Sequence, residues 1–111
     1  GTLDNAGDDF VVGTAGYKLY LDGGKISGGT ISSSDDTKLI ATSSDGTLDG
    51  VTLNADGLVQ ESAIVSVTGG LNVNGLLRLE RTTNHPSDSY DTGLDFYGAG
   101  AELGGSGVVE L

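Results

Sequence analysis

The chain has 111 residues, 20 of them glycine, and it contains no Cys, Met or Trp. Without Cys, zinc fingers, thiol nucleophiles and disulfide-stapled scaffolds are excluded. Sixteen acidic residues against five basic ones give a formal net charge of −11, which disfavours partners such as nucleic acid or an anionic membrane surface, and no apolar run approaches the ~20 residues of a membrane-inserted helix.

Short segments with alternating polar and apolar residues follow one another along the chain. The alternation is clearest at residues 17–21, 65–67, 71–73 and 77–79, and it predicts β-strands. Gly, Asn-Gly, Asp-Gly and Ser-Asp steps separate the segments and predict turns. Helices are not expected, because glycine costs about 1 kcal/mol at each internal helical position. The sequence therefore predicts an all-β protein.

Glycine recurs with a period of 22–30 residues. The repeat can be marked at Gly1, Gly24, Gly46, Gly70 and Gly100. Four residues after these marks come Asn5, Gly28, Gly50, Asn74 and Gly104. Asn is one of the few residues besides glycine that tolerate a positive φ. This second column therefore predicts a repeated corner in the backbone.

Aliphatic residues recur at fixed offsets from the same marks. One column contains Leu3, Ile26 and Leu48, and it slips by one residue to Val73 and Leu103. A second column contains Ile31, Leu53 and Leu77. In a coil that winds once per repeat, such columns stack along the axis at about 4.8 Å per coil. They predict a thin aliphatic core.

The repeat predicts a parallel β-helix, or β-solenoid, of about four and a half coils. The expected coils are residues 2–24, 25–46, 47–70 and 71–100, with a partial coil at 101–111. The alternatives are an antiparallel sandwich, which has a strand spacing of about 8–12 residues, and an intertwined fibre. The chain is expected to be one segment of a longer fibrous protein.

Three stretches carry a resemblance to known proteins. Gly-Gly-Thr-Ile-Ser at 28–32, Gly-Thr-Leu-Asp-Gly-Val-Thr-Leu-Asn at 46–54 and Val-Thr-Gly-Gly-Leu-Asn-Val-Asn-Gly-Leu-Leu-Arg-Leu at 67–79 resemble coils of parallel β-helix proteins. Coils of this kind are common in large bacterial surface adhesins and in phage tail fibres and tailspikes. The resemblance implies an elongated stalk or adhesive surface on the cell or virion. It does not imply an active site.

The fourth repeat is longer than the others, and its excess lies at residues 81–91. Insertions in solenoids form loops on one face and often carry binding. The polar and aromatic residues in and beside this loop predict a platform for a glycan or a receptor: Arg78, Arg81, His85, Tyr90 and Tyr97. The alternative is a solvated loop that covers the neighbouring coil. His85 has no partner at a spacing typical of a catalytic triad or a metal site.

Acidic residues beside the predicted turns are candidate ligands for Ca²⁺. Asp35 and Asp36 are adjacent at one such turn, and carboxylate oxygens are ligands that Ca²⁺ prefers. The sequence lacks the established calcium-binding repeats. Turn formation and solubility are the alternative role of these residues, so no cofactor other than a weakly bound Ca²⁺ is expected.

These features favour a non-catalytic structural segment of an extracellular or virion fibre. Such a segment is expected to self-associate, end to end or as a trimer. One alternative is a carbohydrate- or receptor-binding adhesin module that uses the 81–91 loop. A second is a fragment of a β-helix polysaccharide-degrading enzyme, whose paired carboxylates cannot be told from the many acidic residues present here.

Overall fold

The computed structural model describes residues 2–13, 19–35, 37–80, 92–98 and 102–110. These residues form strands β1 (Thr2–Asp4), β2 (Asp9–Val12), β3 (Leu19–Leu21), β4 (Lys25–Ser27), β5 (Thr30–Ser33), β6 (Leu39–Ala41), β7 (Gly46–Asn54), β8 (Gly57–Val59), β9 (Ile64–Val73), β10 (Leu76–Leu79), β11 (Gly93–Tyr97), β12 (Leu103–Gly104) and β13 (Val108–Glu110). The described part of the chain contains no helix, and hence none that could cross a membrane.

The strands stack into two parallel sheets around one core. The first sheet joins β1, β4, β7, β5 and β2 in that order, and β9 extends it by pairing with β7, β11 and β12. The second sheet has the order β13-β10-β8-β6-β3. Because each strand pairs in parallel with its counterpart one coil away, the chain is a β-solenoid. The prediction of an all-β parallel solenoid is confirmed.

About three turns of this solenoid are complete, rather than the four and a half predicted from the repeat. The coils that contain β4–β6, β7–β8 and β9–β10 have paired strands on both axial sides. The terminal coils, β1–β3 and β11–β13, pair only with the coil on their inner side. The sequence repeat includes both terminal coils in its count. In the described residues, each of these coils is paired with a neighbouring coil on one side only.

The core consists of stacked aliphatic side chains. Each strand turns alternate residues inward, so that Val51 and Leu53 are buried while Thr52 between them is half-buried. The column of Ile31 and Leu53 is confirmed, because the two residues are aligned across β5 and β7. The buried residues are Val12, Leu21, Ile26, Ile31, Leu39, Ala41, Leu48, Val51, Leu53, Ala55, Val59, Ala63, Val65, Val67, Leu71, Val73, Leu77 and Leu79.

The register departs from the sequence columns in the fourth coil. Leu53 is aligned with Val73 and not with Leu77, which lies beside Gly57 in the second sheet. Gly46 is aligned with Val65 and not with Gly70. Strand β9 accordingly runs through the coil boundary that the repeat placed between residues 70 and 71. The column of Leu3, Ile26 and Leu48 is confirmed and continues to Val67 rather than slipping to Val73.

One corner of the coil explains why the glycine columns predict the register of the first coils correctly and that of the fourth coil incorrectly. Gly28 and Gly50 have positive φ values of 73° and 64° at this corner. In the fourth coil Gly69 and Gly70 occupy it, beside the bulge between Asp49 and Val51. Gly69 and Gly70 thus serve the corner after the first strand of the coil, not the start of the coil.

Asn5 stands at this corner for a different reason from the one predicted. Glycine residues apart, only Asp45 and Ser62 have a positive φ in the described residues. Asn5 is instead a buried polar residue whose Nδ2 donates to the Thr30 carbonyl at 3.0 Å. Its carbonyl accepts from the Asp8 N–H at 2.9 Å. The side chain therefore ties the first coil to the second.

Candidate functional site

Two of the residues predicted to bind a glycan lie in the described part of the chain, and they belong to different sheets. Arg78 lies on β10, where its Nη1 is 3.6 Å from Glu110 Oε1. Tyr97 ends β11, and its hydroxyl donates to Asp95 Oδ2 at 3.4 Å. The other three, Arg81, His85 and Tyr90, lie outside the described residues. Glycan binding by the 81–91 loop therefore stays a prediction.

Asp35 takes part in a local turn. Its Oδ1 accepts from the Thr37 N–H at 2.7 Å. Hydrogen bonds from the Thr37 side chain and backbone lower the pKa of the Asp35 carboxyl. Asp36 lies outside the described residues, and the residues that are described contain no group of three or more acidic or histidine side chains placed to hold a metal ion. A calcium site here stays a prediction.

Two outward-facing acidic side chains accept hydrogen bonds from hydroxyl groups in the neighbouring coil. Ser32 Oγ donates to Asp9 Oδ1 at 2.7 Å, and Thr42 Oγ1 donates to Asp22 Oδ1 at 2.6 Å. The hydrogen bonds from Thr42 and Ser44 lower the pKa of the Asp22 carboxyl. The stacking of the coils therefore places hydroxyl donors beside these carboxylates on the outer surface of a strongly acidic chain.

Large hydrophobic side chains are exposed only at the two ends of the solenoid, as far as the described residues go. At the first coil these are residues of β2 and β3, and at the last coil they are residues of β11, β12 and β13. Their exposed fractions range from 39% to 59%, and they are Val11, Tyr20, Phe96, Tyr97, Leu103 and Val108. A side chain of this kind is ordinarily exposed singly, so their concentration in the two terminal coils makes these ends the candidate interaction surfaces.

The backbone at both ends is open in the same way. Strands β1, β2 and β3 pair on one side with β4, β5 and β6. At the opposite end β11 and β12 pair on one side with β9, and β13 pairs with β10. Within the described residues no strand covers their outer edges. Such edges present unpaired N–H and C=O groups that another strand can bind.

The first coil also contains an open hollow of about 190 Å³. Four aliphatic side chains form its apolar wall: Leu3, Leu19, Leu21 and Ile26. Asp22 and Lys25 stand beside them. The hollow lies between the first and third strands of the coil and therefore continues the aliphatic interior to the end of the solenoid.

The side of the solenoid is a weaker candidate. On the outer surface of the second sheet, Tyr20, Ile40 and Leu58 form an outward column, and the last two are half-buried. The column then reaches Arg78. A stable interface buries about 800 Å² on each partner, and a single column of three apolar residues is narrow for that purpose.

Sequence reasoning predicts association at the ends but missed the apolar side chains that the two ends expose. The signal was present in the alternation, because Val11, Tyr20, Tyr97 and Val108 are apolar residues in the outward phase of their strands. It could be used only once the strand register was known, since a shift of one residue turns an outward side chain inward.

Comparisons of the chain with models of protein families, with curated proteins and with solved structures found no match.

Proposed function

We propose that the chain is a non-catalytic structural segment of an extracellular or virion fibre, such as an adhesin stalk or a phage tail fibre. In this role its end coils associate with further coils or with other protomers. One observation carries the proposal: the large hydrophobic side chains that are exposed in the described residues all lie in the two terminal coils. Burial of these residues and of the open strand edges would stabilise an extended assembly.

The polar surface supports the same role. Acidic residues on the sides are spread over several coils, and some of them meet hydroxyl or cationic partners, as in the pairs Ser32–Asp9 and Lys25–Asp49. The formal net charge of −11 favours solubility of a long assembly. Because the chain has no Cys, it has no thiol that an oxidising setting outside the cell could modify.

Mass in solution tests the proposal. Sedimentation velocity of the 111-residue chain at several protein concentrations should give a mass that rises with concentration. A monodisperse monomer over the whole range would contradict a role in which the coils associate. Small-angle scattering on the same samples should show that the species of higher mass are elongated.

A further inference from the structure

We infer that the last coil of one copy, β11–β13, docks on the first coil of a second copy, β1–β3, and continues the solenoid in register. The inference rests on the proposed fibre function and specifies its partner, a second copy of this chain, and the mode of contact, head to tail. Columns of aligned residues already run through the molecule from the first coil to the last. Each column has one residue at either end, so stacking defines which residues would meet.

The columns of the first sheet define the pairs at one corner of the interface. The column that begins with Thr2 passes through Lys25, Thr47 and Ser66 to Asp95. The next outward column begins with Asp4 and ends with Tyr97. Stacking therefore places Asp95 of one copy beside Thr2 of the next copy, and Tyr97 beside Asp4.

These pairs repeat the chemistry found inside the molecule. In both of them a hydroxyl donor meets a carboxylate, as Ser32 meets Asp9 between the first two coils. Thr2 would donate to Asp95, and the Tyr97 hydroxyl, which has a single hydrogen, would leave Asp95 and donate to Asp4. Hydrogen bonds to a carboxylate are stronger than those between neutral groups.

Two further outward columns that run from the first coil to the last also avoid contact between acids. The column of Asp9 ends at Gly104, and the column of Tyr20 ends at Glu110. A glycine would therefore lie beside Asp9, and a phenol beside Glu110. The opposite arrangement, with two first coils face to face, would gather Asp4 and Asp9 from both copies at one edge. Charge complementarity thus favours head-to-tail contact.

The apolar surfaces are complementary in size as well. Phe96 ends the inward column that begins with Leu3, so its ring would lie against Leu3, next to the hollow of about 190 Å³. Phe10 begins the column of Ile31, and Gly105, the residue after Gly104, follows the end of that column. The large Phe10 ring would therefore face a residue without a side chain.

A head-to-tail contact uses two different surfaces, so it does not close into a dimer and instead produces an open filament. The net charge of −11 on each copy opposes growth. Salt screens this repulsion, since the Debye length falls from about 10 Å at 0.1 M to about 3 Å at 1 M ionic strength. Assembly should accordingly increase with salt.

The experiment compares charge variants at the end with a variant on the side. Sedimentation velocity is measured for the 111-residue chain over a range of concentrations in low and high salt, with circular dichroism to check that each variant folds. Tyr97→Asp places a carboxylate beside Asp4 and should weaken association by about tenfold or more, as expected for two like charges about 5 Å apart. Tyr97→Lys places a cation there and should preserve or strengthen it.

The first coil provides an independent pair, in which Tyr20 lies beside Glu110 of the other copy. This pair keeps the test decisive if a Tyr97 variant fails to fold. Tyr20→Asp would stand beside Glu110 and should weaken association, whereas Tyr20→Lys should not. Leu58→Asp, on the side of the middle coil, is the matched control and should leave association unchanged.

The outcomes separate the inference from the proposed function. A monomer under all conditions contradicts both. Association that Leu58→Asp abolishes and that both end variants leave intact contradicts head-to-tail stacking and leaves a laterally assembled fibre. Equal loss with Asp and Lys at position 97 contradicts the charge pairing on which the register depends.

Discussion

Leu53 lies at the centre of the core, and its truncation gives the most direct estimate of what the stacked columns contribute to stability. The side chain is 1% exposed and is aligned with Ile31 in the coil before it and with Val73 in the coil after it. Leu53→Ala removes three buried carbon atoms, worth about 2.4 kcal/mol at about 0.8 kcal/mol for each carbon. The backbone ladders on both sides resist collapse, so a residual cavity adds to this loss, and the total should be about 3–4 kcal/mol.

Urea unfolding followed by circular dichroism measures this loss, at a concentration where the chain is monomeric. Thr52→Ala, one residue away on the outer side of the same strand, is the matched control and should cost less than about 1 kcal/mol. Leu53→Asp should be more harmful than Leu53→Ala, because it buries a charge. Val51→Asp should be equally harmful, since Val51 is also buried on the inner face. Equal effects of the alanine variants at positions 52 and 53 would refute the inward column.

Three further changes test a corner, a buried strand position and a turn. Gly50→Ala should cost about 1–2 kcal/mol because φ is 64°, and Gly50→Asn should cost less in the same urea titration. Gly57→Ala should cost about 1–3 kcal/mol by overpacking, since its Cβ would lie 2.7 Å from Leu77 Cδ1, and Leu77→Ala in the same chain should recover part of that loss. The lowered pKa of Asp35 stabilises the fold at neutral pH, and this contribution is lost as the pH falls below the ordinary value of 3.8 and through the lowered pKa; Asp35→Asn should remove that part of the pH dependence of unfolding.

The sequence was sufficient for the fold class and for the first three coils. Alternation predicted the strands, and the columns that begin with Leu3 and Ile31 follow the true register through Leu48 and Leu53. The fourth coil could not be aligned, because glycine pairs occur at two different corners. Gly69 and Gly70 match a start of the coil in sequence, yet they occupy the corner next to Gly50. Both corners have glycines with positive φ, so residue type alone does not distinguish them.

The candidate site was less predictable than the fold. Exposed Phe96 and Tyr97 lie in an alternating segment like any other, and their significance depends on the lack of a covering strand in the described residues. That is a property of the stacked coils and not of a local motif. The binding site predicted at the 81–91 loop depends on the general tendency of solenoid insertions to carry binding. The hydrophobic ends depend instead on the register of the sheets.

Cross-linking of engineered cysteines tests the in-register parallel coil most directly, and the chain has no Cys of its own to interfere. Thr52 and Asn72 are aligned neighbours on β7 and β9, about 4.8 Å apart across parallel strands, which is within the range that a disulfide spans. Thr52→Cys with Asn72→Cys should form an intramolecular disulfide under mild oxidation, detected by mass spectrometry of the unreduced protein. The column of Leu53 with Leu77 would instead place Thr52 beside Leu76, so the matched pair is Thr52→Cys with Leu76→Cys, which should remain reduced. A disulfide in the second pair and none in the first would contradict the account.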